Sequence, residues 1–253
     1  AVNAGDVEAV RRMRSAGRGD IGWLQLQPGD AALRKLVLEG GYRDYLRRAA
    51  DAPPQDAGQP AFDAWARAVL QAYAGFQLLC AVRRGPQGVE GLNRRIAALL
   101  HAEKLIAEPR EWYLGRPVMV TRNDYGLGLM NGDVGVTLAL PAPPDAANRG
   151  QPLLRVAFED ASGGIRWVLP SRLREVETVF AMTVHKSQGS EFGHAALLLP
   201  AAHSRVLTRE LVYTGITRAR ERFTIALPAG ADDVLDDAIR QRIRRAGGPL
   251  APT

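Results

Sequence analysis

The chain has one cysteine, Cys80, among 253 residues. That excludes a disulfide framework, and its setting in Phe76-Gln77-Leu78-Leu79-Cys80-Ala81-Val82 reads as a buried, inert thiol. No apolar run approaches the ~18 residues of a membrane-spanning helix, so no transmembrane helix and no membrane partner is expected. Lysine stands only at positions 35, 104 and 186, so the net charge of +6 rests on arginine. There is no Gly-x-x-x-x-Gly-Lys-[Ser/Thr] loop and no Gly-Lys pair anywhere. Without that cradle the chain alone lacks a primary site for a triphosphate and Mg²⁺. Its acids form no identifiable metal cluster. The first residues, Ala1-Val2-Asn3-Ala4-Gly5-Asp6, lack a start Met, a basic n-region and an apolar h-region. They read as the interior of a longer protein rather than a signal peptide, with the cytoplasm as default compartment.

What is present is enough apolar residue, 46%, for a sizeable core. A pI near 9.9 is consistent with a nucleic-acid partner, though arginine over lysine also follows from genome composition alone. Residues 21–26 alternate loosely, as a short strand does. Residues 30–48 read as a helix interrupted by Gly40-Gly41. Phe62, Trp65, Ala66, Val69, Leu70 and Tyr73 share one helical face. The run 76–82 has the look of a fully buried parallel strand, followed by a Gly-rich loop and a helix over 89–103. After Pro109 come short strands at 116–121, 134–140, 153–158 and 165–169, with a turn at Asn131-Gly132-Asp133. Near Val179 the order returns to strand, loop, strand (195–199), helix (208–219), strand (223–227). An α/β domain interrupted by a small all-β module is expected, with boundaries at 1–111, 112–175 and 176–253. A final helix over 231–246 opens on aspartates and closes on arginines. That order complements a helix dipole, and a DNA role for those arginines is the sharper alternative.

Chemistry concentrates at Thr183-Val184-His185-Lys186-Ser187-Gln188-Gly189-Ser190-Glu191-Phe192. If the strand continues, Thr183 and His185 point to the same side. Thr183, His185, Lys186 and Ser187 offer hydroxyl, imidazole and ammonium groups to phosphates or bases. Gly189 permits close backbone approach, and Glu191 can accept from a ribose hydroxyl or a water. The bland alternative is a polar loop with a structural His185. A second cluster is Leu211-Val212-Tyr213-Thr214-Gly215-Ile216-Thr217-Arg218-Ala219-Arg220. There Arg218 is either a dipole complement in a last helical turn or a guanidinium that meets a γ-phosphate; Arg220 reads as solvent-facing. A third is Arg83-Arg84-Gly85-Pro86-Gln87-Gly88-Val89-Glu90-Gly91-Leu92-Asn93, where a phosphate could meet a helix N-terminus.

Together these segments resemble the late motifs of superfamily 1 helicases, and most nearly the RecD family, the alpha subunits of the RecBCD helicase–nuclease (exodeoxyribonuclease V). The resemblance implies a RecA-like second motor domain carrying a small inserted SH3-like β-barrel at 112–175. It implies an ATP-dependent DNA helicase moving 5′ to 3′ in double-strand-break repair, of which this chain is the C-terminal portion. ATP and Mg²⁺ belong to the full-length protein, with none bound stably by this chain alone, which is expected to be inactive. Implied partners are single-stranded and duplex-end DNA, the RecB and RecC subunits, and the N-terminal motor domain. Arg218 would be the catalytic arginine finger; Gly189, Glu191, Arg218 and Asn93 would meet nucleotide; Thr183, His185, Lys186 and Ser187 would hold DNA. Asn93 closes the Gly-x-x-x-Leu-Asn pattern as a positioning residue. In the barrel, Arg122 and Asn123 could touch phosphates, or Asn123 and Asp124 could simply hold a tight turn. Two alternatives stand beside this: a stand-alone RecD-like helicase without RecB or RecC, and a non-catalytic DNA-binding or assembly module.

Overall fold

A computed structural model describes residues 1–242 apart from 18, 28, 30 and 143–151. In chain order the elements are α1 (Val7–Ala16), β1 (Ile21–Leu26), α2 (Ala31–Val37), a π turn (Leu38–Tyr42), α3 (Arg43–Ala50), α4 (Gln59–Tyr73), β2 (Phe76–Cys80) and α5 (Val89–Ala102). Then come β3 (Pro117–Val120), β4 (Val134–Leu140), β5 (Leu153–Glu159), β6 (Ile165–Val168), β7 (Val176–Thr178) and β8 (Ala181–Thr183). Last are β9 (Phe192–Leu198), α6 (Arg209–Ile216), β10 (Ala219–Pro228) and α7 (Asp232–Arg240). Arg244 and Arg245, at the end of the expected last helix, lie outside the described residues.

Two five-stranded sheets result. The first, β1-β10-β9-β2-β8, is parallel throughout. Its central strands explain the apolar runs: β2 is buried at all five positions, Gln77 included, because helices cover both faces. This is the α/β parallel sheet that the sequence pattern implies. The second sheet, β6-β5-β4-β3-β7, is antiparallel throughout and lies in sequence between β2 and β8. It has a small core of its own around Val118, Val120, Val156, Phe158 and Leu173. Met119, Val136, Leu138 and Ala157 instead join the main core, and Trp167 donates to Asp63 of α4 at 2.7 Å.

Two details depart from the sequence reading. The Asn131-Gly132 turn is not a two-residue hairpin. It ends a 13-residue connection from β3 to β4 that is folded back on itself by the Asp124–Leu129 bridge. The strand near Val179 begins two residues later, because Val179 still donates to Pro117 of the second sheet at 3.0 Å. The Gly40-Gly41 interruption is there as expected: Gly41, at φ 150 and ψ -17, is non-helical and kinks the chain between α2 and α3.

His194 lies half-buried in β9, its ring against Phe76 and its Nε2 2.9 Å from the Thr224 hydroxyl. Burial, and secondarily the nearby Arg222 charge, push its pKa down from 6.5 to about 4. The unfolded chain therefore takes up this proton near pH 6.5 and the folded chain only near pH 4. The contribution to stability is whole above pH 6.5 and is lost as pH falls toward 4. Urea midpoints are expected to drop across that window in the natural chain and to drop less in His194→Gln. Parallel curves for the two proteins would show the ring to be solvated.

Candidate functional site

The polar cluster after Met182 starts at the C-terminal edge of the parallel sheet, where loops carry ligand sites in open α/β folds. It does not stay there. Thr183 is in register with Cys80, and Cys80 with Leu198, while Phe192 opens β9 six positions earlier. At ~3.3 Å per strand residue, residues 184–191 cross about 20 Å along the strand axis, from one end of the sheet to the other. Thr183 and His185 thus lie at one end, and Glu191 and Arg218 at the other.

At the first end the strand stops at Thr183. The expected alternation that would point Thr183 and His185 to one side does not apply, because the chain turns. Lys186 and Ser187 donate to the Thr183 carbonyl at 3.0 and 3.2 Å, and Lys186 N–H also reaches Thr183 Oγ1 at 3.3 Å. Thr183 is buried, and Ser187 is fully buried with its hydroxyl donated to Val184 at 2.8 Å. In this conformation Ser187 locks the turn and presents nothing to DNA. His185 and Gln188 are exposed and line a cleft of about 940 Å³ with Arg205, Glu210, Thr214 and Arg242. Lys186 is committed to Glu177 of β7, Nζ to Oε1 2.5 Å, each side chain roughly a quarter exposed. Sequence spacing gave no signal for that partner, nor for Arg205, whereas Arg242 is one of the C-terminal arginines for which a DNA role is the sharper alternative.

At the second end Gly189 has φ +89, a backbone conformation side chains resist, and nothing lies within 4 Å of where a Cβ would sit. Glycine here serves conformation and leaves open space. Glu191 is exposed. Arg218 follows α6 and is partly buried. Its Nη1 donates to Ser190 at 3.0 Å, its Nε to Thr214 at 3.2 Å, and its Nη2 to Thr217 Oγ1 at 3.2 Å. Phe192 N–H in turn donates to the Arg218 carbonyl at 2.8 Å. One side chain therefore ties the two sequence clusters together, with two of the five guanidinium N–H groups left over.

Asn93 is placed differently from a nucleotide contact. Its Nδ2 donates to Val89 and Ala181 carbonyls at 2.9 and 2.8 Å, and its Oδ1 accepts from Ala181 N–H at 3.1 Å. Buried, with both amide ends engaged, it splints α5 to β8. Nor does the Gly-rich loop before it form an anion cradle. Val89 and Glu90 N–H groups turn back onto the Val82 and Arg83 carbonyls, while Arg83 and Arg84 themselves are exposed. In the second sheet Arg122 is exposed. Asn123 accepts from Asn131 N–H at 2.8 Å and donates to the Tyr125 hydroxyl at 3.2 Å, which is the turn-holding arrangement. Among the described residues no three His, Cys, Asp or Glu side chains gather as metal ligands, and no helix is long and apolar enough to cross a membrane.

Residues 178–226 match the UvrD-like helicase C-terminal domain. RecBCD enzyme subunit RecD of Mycolicibacterium smegmatis is 38% identical over 250 residues, 98% of this chain and 39% of that protein. The Haemophilus influenzae subunit RecD is 37% identical over 87% of this chain and 32% of its own length. The ATP-dependent RecD2 DNA helicase of Deinococcus radiodurans is 36% identical over 67% of this chain and 22% of its own. A Bacteroides Pif1 helicase structure covers 79% of the chain and 49% of its own at 15% identity and a TM-score of 0.34, too low to define the fold. The chain spans about two fifths of the length of the RecD subunits it matches most fully. Over nearly its whole length, then, this chain is similar to proteins named RecBCD enzyme subunit RecD, and within it residues 178–226 match a UvrD-like helicase C-terminal domain.

Proposed function

We propose that the chain is the second motor domain of an ATP-dependent DNA helicase moving 5′ to 3′, the C-terminal part of a RecD subunit working with RecB and RecC in double-strand-break repair. The observation that carries this is the separation within one continuous segment. Thr183 and Phe192, which bracket it, lie about 20 Å apart along the strand axis by strand rise, with His185 just after the first and Glu191 just before the second, so one crossover links a DNA-facing end to a nucleotide-facing end. The domain boundaries we assign are 1–111 and 176–253 for the motor and 112–175 for the insert, a small SH3-like barrel.

ATP would fit the second end as a shared site between two motor domains. Arg218 has donors to spare, Gly189 leaves open space, and Glu191 is exposed. When bound, ATP supplies the phosphoryl group whose transfer releases the energy for movement. Arg218 would bond the γ-phosphate oxygens as a planar fork, and Glu191 would accept from the ribose. At the first end His185 would meet single-stranded DNA at the mouth of the cleft, with Thr183 acting from beneath as the anchor of the turn.

Binding of a fluorescein-labelled oligo(dT) by anisotropy tests the DNA half. His185→Ala is expected to weaken it about tenfold, in line with a stacking contact of ~1–3 kcal/mol. Lys186 gives a sharper sign. Glu177 neutralises it, so Glu177→Gln should tighten binding a fewfold and steepen its salt dependence by about one counterion. Lys186→Ala should cancel that gain in the double variant. Unchanged affinity in both His185→Ala and Glu177→Gln would sink the reading of this end as a DNA contact.

A further inference from the structure

The outer strand of the parallel sheet, β8, pairs over only three residues, Ala181–Thr183, and on one side only. Just before it, Val179 and Phe180 carry the chain from one sheet into the other, and both are fully buried. The Val179 carbonyl lies outside the ladder of the parallel sheet, and the Phe180 carbonyl sits at its first rung, opposite Leu78. Left unmet, the Val179 carbonyl would cost on the order of a lost buried hydrogen bond. Each is met by a side chain. The Tyr73 hydroxyl of α4 lies 2.6 Å from the Val179 carbonyl and 2.9 Å from Gln77 Oε1, so its single proton serves one of them at a time. Tyr42, from the π turn, donates to Phe180, and Gln77 Nε2 lies 3.1 Å from the same oxygen. The next residue, Ala181, is held by Asn93 as described above.

These supports are themselves fixed. The Tyr42, Tyr45 and Tyr73 rings contact one another with centroids 5.4–6.4 Å apart, and Tyr45 donates to Gly115 at the start of the second sheet at 2.9 Å. Burial raises the Tyr42 and Tyr73 hydroxyls far above their ordinary pKa, so they remain donors at any working pH.

We propose that Tyr42, Tyr73 and Gln77 are positioning residues for the DNA-facing turn. Their hydroxyl and amide groups hold Val179–Phe180 where a second ladder would, and so fix Thr183 and the turn it anchors. The inference rests on the DNA reading given above. It follows from distance along the chain: Thr183 is three residues from Phe180, and the Lys186 and Ser187 N–H groups hang on the Thr183 carbonyl. A strand free to slide at 179–180 would blur all of them.

The test compares the natural chain with Tyr73→Phe and Tyr42→Phe, which keep the rings and remove only the donors. Amide hydrogen exchange at Lys186 and Ser187 is expected to speed about tenfold in either variant, the size of one buried hydrogen bond. Exchange at Leu197 and Ile225, in the far strands, should hold. Oligo(dT) affinity should fall by a similar factor, and cooperative thermal unfolding should persist. Exchange that is unchanged at the turn, or faster everywhere alike, would overturn the proposal by making these tyrosines ordinary core residues. Local loosening with undiminished DNA affinity would overturn it too, since the turn would then need no positioning. Should the natural chain bind no oligo(dT), the DNA reading itself fails. That outcome is told apart because the local exchange response does not depend on DNA.

Discussion

Arg218→Ala is expected to cut DNA-stimulated ATP turnover by about 10³-fold or more in the protein carrying both motor domains, the scale of other arginine fingers. A guanidinium that meets charge developing only as the γ-phosphoryl group departs acts on kcat rather than on binding. Arg218 is well placed for that, because Ser190, Thr214 and Thr217 already orient it. Those same bonds supply the competing explanation, that alanine merely unties the loop from α6. Two comparisons separate them. Arg218→Lys keeps a positive charge and loses the planar fork, so it should recover little turnover. DNA affinity should stay near the natural value in both variants, because His185 lies at the other end of the crossover. Near-normal maximal turnover in Arg218→Ala would remove it from the chemistry. A matched loss of DNA affinity and turnover would make it a structural tie.

Much of this architecture is legible in the sequence, for a physical reason. A strand buried on both faces is mostly apolar, so β2, Gln77 apart, and the 195–198 part of β9 announce themselves as runs, and α4 announces itself as a stripe. The late helicase motifs are legible because their residues are contiguous. What sequence does not carry is which polar groups meet once the chain folds. Ser187 looks like a ligand and is a buried lock, because the strand ends at Thr183 and the turn draws its hydroxyl inward. Lys186 looks free and is paired, because β7 runs straight into β8 and brings Glu177 alongside. Asn93 looks like a nucleotide contact and is a splint, since α5 lies against β8. Tyr42 and Tyr73 look like core aromatics, and so they are, but their hydroxyls answer carbonyls more than a hundred residues away. The first helix is legible too: Asp6 caps α1 by accepting from Ala9 N–H at 2.8 Å, a standard N-terminal signal.

Phe76→Ala is expected to be the most destabilising single change, by roughly 3–5 kcal/mol, a large part of a typical domain's stability. Phe76 is fully buried at the start of β2, its ring 5.0 Å from both the Tyr42 and His194 rings. The backbone of Gly40 lies against its other side: a Cβ there would come within 2.7 Å of the ring carbons Cδ2 and Cε2. Gly40 is thus small because Phe76 is large, and Gly40→Ala should itself cost about 1–3 kcal/mol through overpacking. This makes a cycle with a definite sign. Phe76→Leu shortens the ring side chain and leaves room, so Gly40→Ala should cost less in that background than in the natural chain. The coupling should exceed the ~0.5 kcal/mol within which independent sites add. Urea unfolding of the four proteins measures it. Additive losses would mean that the π turn moves away from the ring without cost. The same turn carries Tyr42 to the Phe180 carbonyl, so a turn that gives way here would also loosen the strand leading to Thr183 and His185.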